Sequence, residues 1–420
     1  MKKRSPAVLC LLVFLFGLSG CISFRPLTQP SVTDTVPGTN EEPNVPASVT
    51  DEPTDPATED ITDAPVTDAP EPLEELRVSF LGAGDNIIYY GNVRDAASCA
   101  VSGRTYNFAP MYERLAARIA GADIAFINQE TLMSGGAFSY YPLFNGPQDL
   151  GFDLAEVGFD IVNIANNHML DKGADGLSST IDFWRTIESV TLIGGYKNEQ
   201  EYNNLCVLEK NGLRIAFLSY TCMTNGLSLP AGSSLIVPLP EEDVVRTQLA
   251  RAREAADFVI VSVHWGDENV FTPNEEQITL ASLFAENGAD VILGHHPHVL
   301  QPVEWIDRAD GGRTLCVYSL GNFAAEMAYD YNMLGGMISF DIVRHETGEI
   351  TAENVVFQPT VYYFTTTFYQ NRIYFLEDFT EELASSHGVV GYYGHAMTLA
   401  RLNRYLKQTI REEFLPESLR

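Results

Sequence analysis

From Arg77 onward the chain alternates short apolar runs with amphipathic stretches, and several of the apolar runs stop abruptly in polar, metal-capable side chains. Five such endings are Leu81-Gly82-Ala83-Gly84-Asp85, Ala125-Phe126-Ile127-Asn128-Gln129-Glu130, Val162-Asn163-Ile164-Ala165-Asn166-Asn167-His168, Ile260-Val261-Ser262-Val263-His264 and Val291-Ile292-Leu293-Gly294-His295-His296-Pro297-His298. Runs of this length with polar endings predict strands. Helical spacing predicts helices over 111–119, 176–188, 241–256 and 396–414. Another helix opens at Thr272-Pro273-Asn274-Glu275-Glu276, with Pro273 in the first helical turn. A turn is expected over 149–157, and a strand pair over 205–209 and 214–220 about the turn Asn211-Gly212. Strands at 315–320 and 337–343 follow, the second ending in a hairpin turn over 345–349. Repeated alternation of strand and helix implies an α/β fold with parallel strands and helical crossovers. In open α/β sheets the carboxyl ends of the strands converge on one crevice, so the five endings are where function is expected.

Those endings supply carboxylate, amide oxygen and imidazole without a thiolate, the donor set of borderline and harder divalent ions. Zn, Mn and Fe are all compatible. A lone histidine is usually a surface or satisfied core residue, and a Gly-Asp pair after a strand is usually a turn. The joint placement carries more weight, because His168, His264, His296 and His298, out of eight histidines, fall at matching positions after strands. His295 adjoins the last pair but is expected on the opposite side if the segment is extended. Asn128 is read as a strand terminator, and Trp265 and Tyr318 as buried core.

Composition narrows the setting. Asp and Glu number 56 against 26 Lys and Arg, a net charge of −30, which excludes nucleic acid as an electrostatic partner. Much of the excess lies between Ile22 and Glu75, where Arg25 is the only basic residue and a loose repeat recurs at Val32-Thr33-Asp34, Val49-Thr50-Asp51, Ile61-Thr62-Asp63 and Val66-Thr67-Asp68. That Pro/Thr/Asp-rich stretch, 21–75, is expected to be a disordered, extended linker. Ahead of it, Lys2, Lys3 and Arg4 precede an apolar run from Ala7 to Leu18, too short to span a membrane and typical of an export signal over 1–20. Leu18-Ser19-Gly20-Cys21 resembles the lipobox of bacterial lipoproteins, which implies lipidation at Cys21 and an extracytoplasmic protein anchored to the bacterial cell membrane. An ordinary cleaved signal is the alternative. Cys99, Cys206, Cys222 and Cys316 contain no CxxC pair, so a zinc-thiolate site is not expected.

The ordered motifs Gly84-Asp85, Asn128-x-Glu130, Asn166-Asn167-His168-x-x-Asp171-x-Gly173, His264-Trp265-Gly266, Gly294-x-His296-Pro297-His298 and Ser319-Leu320-Gly321-Asn322-Phe323 resemble the signature set of the CapA family of bacterial poly-γ-glutamate capsule synthesis proteins. The family is similar in turn to calcineurin-like metallophosphoesterases. The resemblance implies a metallophosphatase-like two-sheet sandwich flanked by helices (α/β/β/α), with metal at the strand ends. The matching domain is expected over 76–325, with 326–420 completing or flanking it.

Carried over by motif, the resemblance makes Asp85, Glu130, Asn167, His264, His296 and His298 metal ligands. It makes His168 the residue that stabilises or protonates a leaving group; Asp171, three residues on, orients it if the segment is helical, or else is a helix-capping carboxylate. One position departs. Phosphoesterases carry Asp-x-His at the first strand, whereas this chain has Ile87, which leaves open one ion or two. The implied reaction is hydrolysis of a phosphoester or a γ-glutamyl amide. Poly-γ-glutamate or another envelope polymer and membrane synthase subunits are the implied partners. A non-catalytic accessory subunit of a capsule complex is the second reading.

Overall fold

The computed structural model describes residues 73–420. The expected signal peptide, the lipidation site Cys21 and nearly all of the linker lie outside the described residues.

Fourteen strands appear in chain order: Leu76–Asn86 (β1), Ile124–Gln129 (β2), Ile161–Asn163 (β3), Thr191–Ile193 (β4), Cys206–Lys210 (β5), Leu213–Thr221 (β6), Phe258–His264 (β7), Val291–His295 (β8), Val303–Asp307 (β9), Arg313–Val317 (β10), Asn322–Ala324 (β11), Leu334–Arg344 (β12), Ile350–Tyr363 (β13) and Arg372–Phe375 (β14). They form two sheets. The first runs β14-β13-β12-β1-β2-β3-β4, with β11 paired to the end of β1; the second runs β5-β6-β7-β8-β10-β9. β1 to β4 are mutually parallel, as are β6, β7, β8 and β10. β12 pairs antiparallel with β1 and carries β13 and β14 outward, so the last third of the described chain builds half of the first sheet.

Strand β7 is buried along its whole length, as a parallel strand covered on both faces must be. The two sheets pack face to face through large side chains: the Phe80 and Phe217 rings lie 6.4 Å apart, and Phe258 and Phe340 also 6.4 Å apart. Outside the second sheet, the helix Glu242–Ala255 buries Val245, Gln248, Leu249 and Ala252, one stripe at helical spacing. Its neighbour Glu275–Glu286 starts with a capping box: the Gln277 N–H donates to Asn274 Oδ1 at 3.0 Å, and the Asn274 N–H donates to Gln277 Oε1 at 3.0 Å. The helices Asp149–Val157 and Gly173–Trp184 bury Leu150, Leu154, Leu177, Ile181 and Trp184 outside the first sheet. The layers are therefore helix, sheet, sheet, helix.

Three local expectations are corrected. The segment over 149–157 is a nine-residue helix rather than a turn. Its stripe is interrupted by buried Asp153, which accepts the Phe108 N–H at 2.6 Å and pairs with Arg104. The helix expected over 111–119 divides into Ala109–Tyr112 and Ala116–Ala120. Pro273 stands before the cap residue Asn274, outside the helix.

Candidate metal centre

All six expected ligands are buried at the carboxyl ends of β1, β2, β3, β7 and β8, and the topology brings them into one crevice. Glycines make the close approaches possible. A Cβ on Gly84 would lie 2.1 Å from the Gly321 carbonyl oxygen, and one on Gly294 would lie 2.1 Å from that of Tyr318, so both positions exclude any larger residue. His296 and His298 both adopt left-handed backbone, at φ +98° and +55°. The His298 conformation is held by its carbonyl, which accepts from Asn332 Nδ2 at 3.1 Å and Asn322 Nδ2 at 3.3 Å. Strain of this kind persists where the surroundings over-determine it, and it gathers at functional sites.

Glu130 is the centre of the arrangement. Both of its carboxylate oxygens are buried and have no hydrogen-bond partner. Its Oε1 lies 3.7 Å from His298 Nε2, 3.8 Å from His168 Nε2 and 3.9 Å from His264 Nε2. These separations are too long for hydrogen bonds. They suit atoms sharing a cation, since ligands bonded at roughly 2.0–2.2 Å can stand no further apart than about 4.4 Å. Glu130, His296 and His298 present ligand atoms within 4.8 Å of one another, and so do Asp85, Glu130 and His264. An unpaired buried carboxylate is strongly unfavourable; a divalent cation among these groups removes the penalty, and the residues fit one.

The protonation states of His264 and His296 agree with that fit. Burial drives the His264 imidazole well below its usual range and brings His296 down to about 3, the charge of neighbouring histidines adding to both. Both rings are thus neutral and have a lone pair to offer. Burial alone would neutralise Asp85, yet the His295 and His298 rings beside it outweigh that and hold its carboxyl well below the usual range. Burial pushes the Glu130 carboxyl well above its usual range. For His298 burial acts downward, but Glu130 and Asp85 together push it up to about 9.

The remaining groups orient these ligands. Asp85 Oδ2 accepts the His296 backbone N–H at 3.2 Å and stands 3.1 Å from His298 Nδ1. Asp85 Oδ1 accepts Asn128 Nδ2 at 2.8 Å; Asn128 Oδ1 in turn accepts Asn163 Nδ2 at 2.8 Å, and Asn163 Oδ1 accepts the Ser219 hydroxyl at 2.5 Å. A buried amide chain therefore runs from Asp85 across to the second sheet, and Asn128 takes part in it rather than merely ending its strand. Asn167 Oδ1 lies 3.0 Å from His264 Nε2. His168 Nδ1 is 2.7 Å from Asp171 Oδ2, which also accepts the Phe144 N–H at 2.7 Å. Asp171 therefore holds the His168 ring while Nε2 faces Glu130.

His295 departs from expectation. Strand β8 stays extended through His295 and turns it inward on the face of Val291 and Leu293, while left-handed backbone at His296 and His298 brings those rings to the same side: the His295 Nδ1 is 3.5 Å from Asp85 Oδ1, and its ring stacks on Phe126 at 5.7 Å. Neither of its nitrogens makes a hydrogen bond. Trp265 and Tyr318 are buried core, joined by the Trp265 indole N–H to the Tyr318 carbonyl at 2.9 Å. Ile87 packs with Phe144 and Ala325 in an apolar patch.

Sequence reasoning missed Asn225, whose Oδ1 accepts Asn167 Nδ2 at 3.3 Å and whose own amide nitrogen is 3.5 Å from His168 Nδ1. Its signal was the Asn225-Gly226 turn pair, with Asn225 at φ +52°. It also missed Glu326, which is buried against the start of the helix Tyr90–Ser98 and accepts the Gly91 N–H at 2.9 Å. Burial pushes that carboxyl up to about 8. Cys99, Cys206, Cys222 and Cys316 are all unpaired.

Over 197 residues the chain is 30% identical to the PGA biosynthesis protein CapA of Bacillus subtilis (strain 168), covering 46% of this chain and 50% of that protein. Over 196 residues it is 31% identical to the capsule biosynthesis protein CapA of Bacillus anthracis, covering 44% and 45%. The chain thus spans about half the length of the curated relatives it matches. Among solved structures it is similar to the calcineurin-like phosphoesterase YfkN from Bacillus subtilis, at 12% identity and a TM-score of 0.37, over 67% of this chain and 94% of that one. Residues 79–327, more than half of the sequence and every ligand described above, match the model of the bacterial capsule synthesis protein PGA_cap family, and to that family the chain belongs.

Proposed function

We propose that this protein is a lipid-anchored, extracytoplasmic, metal-dependent hydrolase of capsule or cell-envelope polymer biosynthesis. The observation that carries the reading is Glu130, a buried carboxylate bare on both oxygens and faced by three imidazole nitrogens, with the His168–Asp171 pair alongside. Asp85, Glu130, Asn167, His264, His296 and His298 would hold one or two divalent ions. Such an ion supplies a Lewis acid that polarises a phosphoryl or carbonyl oxygen and activates water near neutral pH. His168 provides a proton from Nε2 to the departing oxygen or nitrogen. Asp171 keeps the ring in register through Nδ1 and balances the charge of its protonated form. The substrate linkage is a phosphoester or a γ-glutamyl amide, and poly-γ-glutamate or a related polymer and membrane synthase subunits are the partners.

The test is turnover of a phosphodiester and a γ-glutamyl anilide probe by the full chain, measured together with metal content. Wild type is expected to turn over one probe, His168→Ala to lose about 10²–10⁴-fold with its metal retained, and His296→Ala to lose both metal and turnover. Metal retained with no turnover of either probe sinks the hydrolase reading. The anchor is tested by fractionation: Cys21→Ser is expected to leave the membrane fraction, and a variant that stays there refutes lipidation at Cys21.

Ile87, standing where an imidazole would complete the first half of the centre, favours a second reading. Under it the protein is an accessory subunit that binds polymer or synthase and has kept the ligands for structural reasons.

A further inference from the structure

Between the ligand Glu130 and Asp149 the chain carries no charged residue at all, in a protein of net charge −30. This neutral stretch is rich in rings and is tied directly to the centre. Phe144 meets the His168 ring edge-on at 4.7 Å, and its N–H is the second donor on Asp171. Outward from Phe144, Tyr141 lies 6.4 Å away and is 74% exposed. A second run continues over the same loop: Phe138, 37% exposed, is 5.7 Å from Tyr140, which meets Tyr90, 52% exposed, at 5.2 Å. The loop is braced from within, Ser139 pairing with Asn145 and the Asn145 amide donating to the Gly135 and Ala137 carbonyls at 2.9 and 3.0 Å. The rings are therefore held in place while open to water. A contiguous exposed apolar surface of this kind marks a recognition site.

We infer that this aromatic rim is a subsite for uncharged sugar rings, so that the strand presented to the metal centre is a glycan or glycoconjugate whose scissile linkage lies beside His168. The inference rests on the hydrolase reading for its location and narrows its substrate to a related, sugar-bearing polymer with a phosphoester linkage, in place of poly-γ-glutamate. Charge separates the candidates. A polyanion such as a glutamate polymer calls for cations, and the loop has none; Arg94, beside Tyr90, is already engaged with the Tyr369 hydroxyl at 3.0 Å. An apolar peptide calls for pockets that take up branched side chains, whereas the rim's exposed rings are those of Phe138, Tyr141 and Tyr90, which offer aromatic carbon and phenol hydroxyls. Sugar rings match both, with C–H faces against the rings and hydroxyls against the phenols.

The full chain is screened against an array of uncharged oligosaccharides and, separately, against poly-γ-glutamate, in wild type, Tyr141→Ala, Tyr90→Ala, Ile278→Ala and His296→Ala. Wild type is expected to bind at least one oligosaccharide class and to prefer it over the glutamate polymer. Each tyrosine substitution should weaken that binding about tenfold, the scale of one lost ring contact. Ile278→Ala, at an exposed position on a different helix, should bind as wild type does. His296→Ala should also keep its sugar binding, so an absence of turnover in any preparation fails the hydrolase reading without touching this one. Binding to no oligosaccharide, equal binding in wild type and Tyr141→Ala, or a preference for the glutamate polymer would overturn the sugar subsite.

Discussion

At the scale of single residues, the centre is built from groups that are poorly satisfied without an ion, which separates function from stability in measurable ways. His295 is the sharpest case, because both its nitrogens are bare and Nδ1 stands 3.5 Å from Asp85, a ligand whose carboxylate is already hydrogen-bonded by Asn128 and the His296 N–H. Groups that orient ligands typically change metal affinity by about 10–100-fold when removed. His295→Leu, which retains apolar packing on Phe126, is expected to lose affinity on that scale in calorimetric titration, and an unchanged affinity would remove His295 from the centre. Glu326 gives a pH signature. Burial pushes its carboxyl up to about 8, from an ordinary 4.5, so between those values the native state holds a proton that the unfolded chain has released. Stability attributable to this group is greatest below pH 4.5 and falls as pH rises toward 8. Glu326→Gln keeps an acceptor for the Gly91 N–H and should flatten that fall, leaving the variant more stable than wild type at pH 8.5 by on the order of a few kcal/mol in urea unfolding. A variant less stable at both pH 5.5 and pH 8.5 contradicts the assignment. Neither contact was legible in the sequence: left-handed backbone at His296 and His298 brings their rings to the side that His295 already faces from β8, and Glu326 meets its helix start from 235 positions away.

At the scale of elements, the strands were easier to read than the helices. The fully buried, mostly apolar runs of β2, β7 and β8 carry their own signal, because a parallel strand covered on both sides has few polar positions. The helix over 149–157 was hidden by Gly151 and by Asp153, a carboxylate placed on the buried stripe. Gly151 is small because a Cβ there would lie 2.6 Å from the Phe183 ring, a constraint from a distant helix that no local pattern records. Strand β8 approaches β10 through Gly294, next to His295 and the His296–His298 pair. Gly294→Ala would drive a Cβ into the Tyr318 carbonyl and the Trp265 indole nitrogen, which lie at 2.1 and 2.6 Å. The expected result is destabilisation by about 1–3 kcal/mol, the usual range for overpacking, with metal content lost in parallel. Full metal occupancy in a destabilised Gly294→Ala protein would show that the strand end moves independently of the strand.

At the scale of the whole molecule, the α/β plan and the convergence of distant loops followed from the order of apolar runs, while the two-sheet sandwich came with the family resemblance, which left open whether 326–420 completes the domain or flanks it. The family match ends at residue 327, yet β12 is the antiparallel partner of β1 from Leu76↔Arg344 to Ala83↔Met337. A chain ending at residue 328 therefore lacks the neighbour that covers one edge of β1. It is expected to be insoluble or to lack a cooperative thermal transition, and a soluble, cooperatively melting fragment would show that β12 to β14 are dispensable. The same pairing has a temporal consequence. Asp85 is among the first described residues to be synthesised, whereas β12, which pairs with β1 as far as Ala83, and Asn332, which clamps His298, come some 250 positions later. Ligand geometry is therefore completed only once the chain has been made through Asn332, so the ion acquired reflects the supply of whichever compartment hosts that later stage of folding.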